Sequence, residues 1–71
     1  MPPKIYRVVG ETIRARRSKA RLSQERLAEK ADVTRNYIGQ IERAEKKITL
    51  ETLHKVAIAL KVRVRDLVAG L

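Results

Sequence analysis

Apolar residues recur at helical spacing along the first segment of the chain, from residue 4 or 6 to about residue 20. Val9, Ile13 and Ala20 fall on one stripe there, and Arg17 lies on the same side. An arginine that faces a core requires a partner from elsewhere in the chain. We therefore predict a first helix that buries this stripe and supplies one inward-facing arginine.

Two short helices joined by a tight turn are predicted over residues 24–43. Ser23 is a good N-cap for the first of them, and Thr34 for the second. The apolar stripe of the first helix consists of Leu27, Ala28 and Ala31. The turn between the helices consists of Asp32 and Val33.

The second of these short helices has two different faces. With Arg35 at zero on a helical wheel, Ile41 and Ile38 fall at about 240° and 300° and form an apolar face. The opposite face consists of Arg35, Asn36, Gly39, Gln40 and Arg43. Arginine can bond a guanine edge bidentately, and asparagine or glutamine an adenine edge. This face suits the major groove of DNA, although an ordinary solvated helix face is the alternative.

A fourth and a fifth helix are predicted after a loop that Ile48 anchors. Thr49 caps the fourth helix. Its core-facing stripe consists of Leu50, Leu53, Val56, Ala57 and Leu60. The valine–arginine alternation at 62–65 resembles a strand, but a strand without a partner is unstable, so a short helix over 65–69 is preferred. With an irregular lead-in at residues 1–3, the prediction is one all-α domain of five helices over 1–71.

Composition narrows the possible functions. The chain has 71 residues, no cysteine and one histidine, so it predicts no disulfide, no metal site and no cofactor. The net charge is +9, and residues 1–22 hold seven basic side chains against one acidic one, a net +6. Such a charge favours a polyanion as partner. No apolar run could cross a bilayer and no signal peptide is visible, which predicts a soluble, cytoplasmic protein.

Three other function classes are disfavoured. Without paired carboxylates or a cysteine, little supports acid–base or nucleophilic catalysis, so an enzyme is not expected. RNA recognition is disfavoured because only two aromatic residues could stack on bases. Binding to a membrane surface is disfavoured because the apolar stripes are needed for the core and leave no wide face for lipid.

Residues 22–62, LSQERLAEKADVTRNYIGQIERAEKKITLETLHKVAIALKV, resemble the Cro/C1-type helix-turn-helix domain of bacterial and phage transcriptional regulators. The likeness extends over about residues 9–67, and the stretch IERAEKKIT also resembles controller proteins of restriction-modification systems. The resemblance implies a compact Cro/C1 repressor-like fold with the helix-turn-helix at 24–43. Four positions depart from the family's glycines, namely Arg21, Asp32, Ala44 and Lys61. If they need positive φ, each departure costs about 1 kcal/mol.

The resemblance also implies roles for individual residues. It pairs Arg17 with Glu42 in a partly buried ion pair and assigns Gln24 to contacts with the DNA backbone. By their chemistry, the residues expected to read bases are Thr34, Arg35, Asn36 and Gln40. The further residues expected at phosphates are Ser23, Tyr37, Arg43, Lys46 and Lys47. Alternatives stay open for four of them: Ser23 as a cap alone, Tyr37 as a cover for the core edge, and Lys46 and Lys47 as plain solubilising charges.

Apolar residues near the carboxyl end suggest a homodimer. Those expected at the interface are Ile58, Val64, Val68 and Leu71. A two-fold dimer would place two reading helices one DNA turn apart on a pseudo-palindromic operator. The alternative is that these residues complete the core of a monomer.

The function expected from all these features is sequence-specific binding of double-stranded DNA to regulate transcription. Such a protein could repress by covering a promoter or activate by contacting RNA polymerase. A nucleoid-associated location in the cytoplasm follows. The rival is an antitoxin that binds a toxin partner and its own promoter.

Overall fold

The computed structural model describes residues 3–71, which form five α-helices and no strand. The helices are α1 Lys4–Lys19, α2 Gln24–Ala31, α3 Arg35–Glu42, α4 Leu50–Leu60 and α5 Val64–Val68. The predicted all-α fold is confirmed, with α1, α3 and α5 each ending one residue before the predicted end. Of the predicted irregular lead-in, Met1 and Pro2 lie outside the described residues, and Pro3 precedes α1 with φ −57° and ψ 144°.

The predicted hydroxyl caps are present at the starts of three helices. Ser23, Thr34 and Thr49 each accept a hydrogen bond from the backbone N–H three residues later, over 3.0 to 3.1 Å. Each bond satisfies one of the backbone donors that a helix start leaves free. The two caps at Ser23 and Thr34 set where α2 and α3 begin, and so fix the helix-turn-helix.

Helices α1 to α4 all end in the same way, with a non-glycine residue in the left-handed conformation. Arg21, Asp32, Ala44 and Lys61 have φ between 56° and 59°. After each one, the next residue's N–H bonds the carbonyl five residues back, as in Leu22 to Arg17, which is the Schellman arrangement. The four positions at which the family pattern has glycine therefore do require positive φ.

A single core lies between the helices. Its fully buried members include Ile13 of α1, Leu27 of α2, Ile38 of α3, Val56 of α4 and Leu67 of α5. Most of the predicted stripes are confirmed, since the other buried members are Val9, Ala28, Ala31, Ile41, Leu53, Ala57 and Leu60.

The predicted burial of two residues is wrong. Leu50 is 78% exposed, because it is the first residue of α4 and lies at the edge of the buried arc. Ala20 is exposed because α1 ends at Lys19, so Ala20 only caps the helix. Thr52, which was not predicted, is buried instead, with its hydroxyl accepting a 3.0 Å hydrogen bond from that of Thr49.

The helices pack so that α3 is held from two sides. One side of α3 packs against α2, and its carboxyl end packs against α1. At that second contact Gly10 faces the backbone carbonyls of Ile41 and Glu42, where a Cβ atom would collide with both oxygens. Gly10 therefore permits the close approach of α1 that fixes the orientation of α3.

Candidate nucleic-acid interface

The polar face of α3 lines an open groove together with the start of α2. The residues lining this groove are Gln24, Arg35, Asn36, Gly39 and Arg43. Arg35 and Asn36 are exposed, whereas Gln40 is half-buried. The structure thus places two of the predicted base-reading side chains, Arg35 and Asn36, at one accessible surface. Thr34 is also exposed, but its hydroxyl is engaged as the cap of α3.

Behind the groove, Arg17 and Glu42 form the ion pair that the resemblance implies. Arg17 Nε donates to Glu42 Oε2 over 2.7 Å and its Nη2 to Oε1 over 3.2 Å, while Nη1 bonds the Leu22 carbonyl over 2.8 Å. The side chains are only 14% and 2% exposed. A bidentate pair whose third guanidinium nitrogen also has a hydrogen-bond partner can tolerate such burial. It ties α1, the start of α2 and the end of α3 together.

Gln24 joins this network, which the sequence did not predict. Its side-chain Nε2 donates to Glu42 Oε1 over 3.1 Å. Gln24 therefore fixes the amino-terminal end of α2 against α3, beside the groove. Contact between the Gln24 amide and a DNA phosphate stays a prediction. No local pattern reveals the bond, because its partners are 18 residues apart.

Arg43 is paired within the protein, which was also missed. Its Nε and Nη2 donate to the two carboxylate oxygens of Glu45 over 2.9 and 3.1 Å. These hydrogen bonds lower the pKa of Glu45 and, with its charge, raise the pKa of Arg43. The left-handed turn at Ala44 folds the loop back and brings the two side chains together. Nη1 of Arg43 lies 3.0 Å from where a Gly39 Cβ would stand, so Arg43 covers the space above that glycine.

The remaining predicted phosphate-binding residues differ in exposure. Tyr37 is half-buried and packs against the core, which favours its alternative role as a cover for the core edge. Lys46 and Lys47 are exposed in the loop after α3, next to a shallow hollow that also includes Tyr6. Ser23 caps α2 with its hydroxyl.

Of the four residues predicted at a dimer interface, two line one apolar cleft and two do not. Val68 and Leu71 line an apolar cleft. Leu71 is 62% and Ile58 63% exposed, but Ile58 does not line the cleft, and Val64 packs against the core. Ile5 and Leu50, which were not predicted at the interface, also line this cleft and are exposed.

Metal-binding clusters and membrane-spanning helices were also sought among the described residues. Residues 3–71 contain no group of three histidine, aspartate or glutamate side chains that could hold a metal ion. Among the described helices, none has the length and apolar composition that crossing a bilayer requires.

Comparison with protein families gives the identity of the fold. A family model described as helix-turn-helix matches residues 13–67, which include the caps, the turn and the groove described above. The chain belongs to this helix-turn-helix family. The resemblance drawn from residues 22–62 is therefore confirmed.

Several relatives of this helix-turn-helix chain are named as regulators. It is 43% identical over 63 residues to the control protein C.SmaI of Serratia marcescens, covering 89% of this chain and 75% of the relative. The crystal structure of the restriction-modification controller protein C.AhdI from Aeromonas hydrophila matches with a TM-score of 0.86 at 34% identity, covering 87% of this chain and 94% of that one. The P22 c2 repressor, solved in complex with a synthetic operator, matches with a TM-score of 0.82 at 34% identity, covering 90% and 97%.

Proposed function

We propose that this protein is a DNA-binding transcriptional regulator that reads its operator with α3. The observation that carries the proposal is the groove at α3, where Arg35 and Asn36 are exposed on a helix whose orientation the buried Arg17–Glu42 pair fixes. A helix of this kind fits the major groove of B-DNA. The similarity to the P22 c2 repressor, which was solved with a synthetic operator, also supports DNA as the partner of this surface.

Within this proposal, the residues divide by the part of DNA that they meet. Arg35 is assigned to a guanine edge, and Asn36 and Gln40 to adenine edges, with the Thr34 methyl available to a thymine methyl. The start of α2 meets phosphates, because its free N–H groups and positive dipole end attract an anion. Lys46 and Lys47, exposed beyond α3, suit phosphates at the border of the groove.

The regulator acts as a two-fold dimer on a pseudo-palindromic site. Exposed apolar side chains at Ile58 and Leu71 support an interface at the carboxyl-terminal half of the chain, away from the groove. A dimer of this kind places its two α3 helices in successive major grooves, about 34 Å apart. The similarity to two restriction-modification control proteins supports a controller protein as the biological role.

Binding-site selection from random duplexes, followed by a salt titration of the selected site, tests this function. We expect two half-sites related by a dyad and about 10 base pairs apart. With about six phosphates engaged, log K should fall with log salt at a slope near −5. Selection of no common sequence, together with equal affinity for all duplexes, would contradict sequence-specific regulation.

A further inference from the structure

The outer side of α1 carries basic residues next to the carboxyl end of α3. On a helical wheel Gly10 lies about 20° from Arg17, and Arg14 and Arg7 lie about 60° and 80° from it in the same direction. Ile13, in the core, lies about 40° in the opposite direction. Around the circumference of α1, Arg7 and Arg14 therefore lie next to the residues that contact α3.

Both arginines are free to meet an outside partner. Arg7 and Arg14 are exposed, and the ion pairs found within residues 3–71 involve neither of them. Glu11 lies on the same side and pairs with neither arginine, and two arginines against one glutamate give this side of α1 a net positive charge.

The position of these arginines relates them to the groove at α3. Arg17 bonds Glu42, and Glu42 also bonds Gln24, which lines the groove. On α1, Arg14 lies one turn before Arg17, and Arg14 and Arg7 both lie on the exposed side of the helix that neighbours Arg17 on the wheel. Along the helix, Arg7 and Arg14 are about 10 Å apart, which is close to three base-pair rises.

We propose that Arg7 and Arg14, the helix-one ridge, bind backbone phosphates of the same duplex whose major groove receives α3. The inference rests on the proposed function and extends its DNA contact surface beyond the helix-turn-helix. The ridge supplies affinity without reading bases, because phosphate contacts position a protein and carry no sequence information. It gives the basic amino-terminal third of the chain a specific place on the DNA.

Two double variants of equal charge separate a phosphate contact from a general effect of net charge. Arg7→Gln with Arg14→Gln removes the ridge. Lys19→Gln with Lys30→Gln removes two exposed charges elsewhere, since Lys19 lies about 130° round α1 from the ridge and Lys30 lines a separate hollow with Lys61. Each double variant lowers the net charge from +9 to +7.

Fluorescence anisotropy with the selected operator and with a scrambled duplex is measured between 50 and 200 mM salt. We expect the ridge variant to lower the magnitude of the salt slope by about 1.8 per protomer, and so by about 3.6 for the dimer, which makes the fall in affinity of the dimer over this range about 150-fold smaller. The ratio of affinities for the two duplexes should stay unchanged, and the lysine variant should keep the wild-type slope.

Equal slopes for the two double variants, with the wild-type protein still selective for its operator, would overturn the ridge and leave the proposed function intact. Failure of the wild-type protein to prefer any duplex would instead overturn both. A ridge variant that loses preference for the operator would also overturn the inference, because it would make these arginines base-reading residues.

Discussion

Among residues 3–71, Glu42 is the one buried acidic residue, and its carboxylate accepts hydrogen bonds from both Arg17 and Gln24. Removing one partner of such a pair leaves the other charge buried without compensation. At the scale of single residues, the orientation of α3, the proposed DNA-reading helix, therefore depends on a side chain that does not line the groove.

The variant Glu42→Ala should lower the free energy of unfolding by about 3 kcal/mol, because Arg17 then remains inside without its carboxylate. Urea unfolding followed by circular dichroism measures the change. Glu45→Ala is the matched control: this glutamate also pairs with an arginine but is exposed, and its loss should leave the melting temperature nearly unchanged. An unchanged melting temperature for Glu42→Ala would contradict the role of the buried pair.

Lys61 ends α4 with φ 59°, a conformation that strains a residue with a Cβ atom. The variant Lys61→Gly should therefore raise the free energy of unfolding by about 0.5 to 1 kcal/mol, after allowing for the greater freedom of glycine in the unfolded chain. Lys30→Gly, an exposed helical position, should lower it by about the same amount. Thermal unfolding of both variants checks the signs. A Lys61→Gly variant no more stable than the wild type would show that the turn is unstrained.

The sequence predicted individual residues well where a local rule applied. The caps at Ser23 and Thr34 follow from rules about neighbouring backbone groups, whereas the positive φ at Lys61 was suggested only by the glycine that the family has there. The pairing of Gln24 with Glu42 was not predicted, because it depends on how two helices meet. The pairing of Arg43 with Glu45 was missed because it depends on the loop folding back at one residue.

At the scale of elements, the contact between α1 and α3 depends on the absence of a side chain at Gly10. A Cβ atom there would lie 3.0 Å from the Glu42 carbonyl oxygen and still closer to that of Ile41. Both are backbone atoms that cannot rotate away, so the two helices would have to separate. That separation would also disturb the Arg17–Glu42 pair behind the groove.

The variant Gly10→Ala should lower the free energy of unfolding by about 1 to 3 kcal/mol, even though alanine favours helix more than glycine does. It should also weaken operator binding, because α3 shifts relative to α2. Ser18→Ala, at an exposed position of the same helix, is the control and should be neutral or slightly stabilising. A Gly10→Ala variant as stable as the wild type would contradict the close packing of the two helices.

Helical periodicity predicted which elements form but not every residue that they bury. It placed Leu50 in the core because the residue shares the spacing of Leu53 and Ala57, whereas the structure leaves it exposed at the first position of α4. It overlooked Thr52, whose hydroxyl finds a partner in Thr49 and so can be buried. Periodicity describes one helix alone, and these outcomes depend on what that helix packs against.

At the scale of the whole molecule, the surface divides between a polar groove at α3 and exposed apolar side chains elsewhere. Ile58 and Leu71 are among the latter, and neither lines the groove. A dimer built on the apolar surface would therefore leave both copies of α3 free to bind DNA. Such a dimer would let two short α3 helices contact an operator longer than one helix could span.

The variant Ile58→Lys should shift the protein towards monomer and lower operator affinity, because it places a charge in the proposed apolar interface. Sedimentation over a range of concentrations measures the equilibrium. Ala15→Lys adds the same charge at an exposed position of α1 and should leave the equilibrium unchanged. A monomeric mass for the wild-type protein at all concentrations, even with operator present, would remove the dimer.

The most direct test of base reading by α3 compares wild-type protein and Arg35→Ala on operators that differ from the selected site by one base pair at a time. Anisotropy titrations give an affinity for every single substitution and for random duplex. We predict that Arg35→Ala abolishes discrimination of about 1 to 3 kcal/mol at one position of each half-site and retains it at the others. An equal loss of affinity on cognate and random duplexes would contradict the account, because it would make Arg35 a phosphate contact.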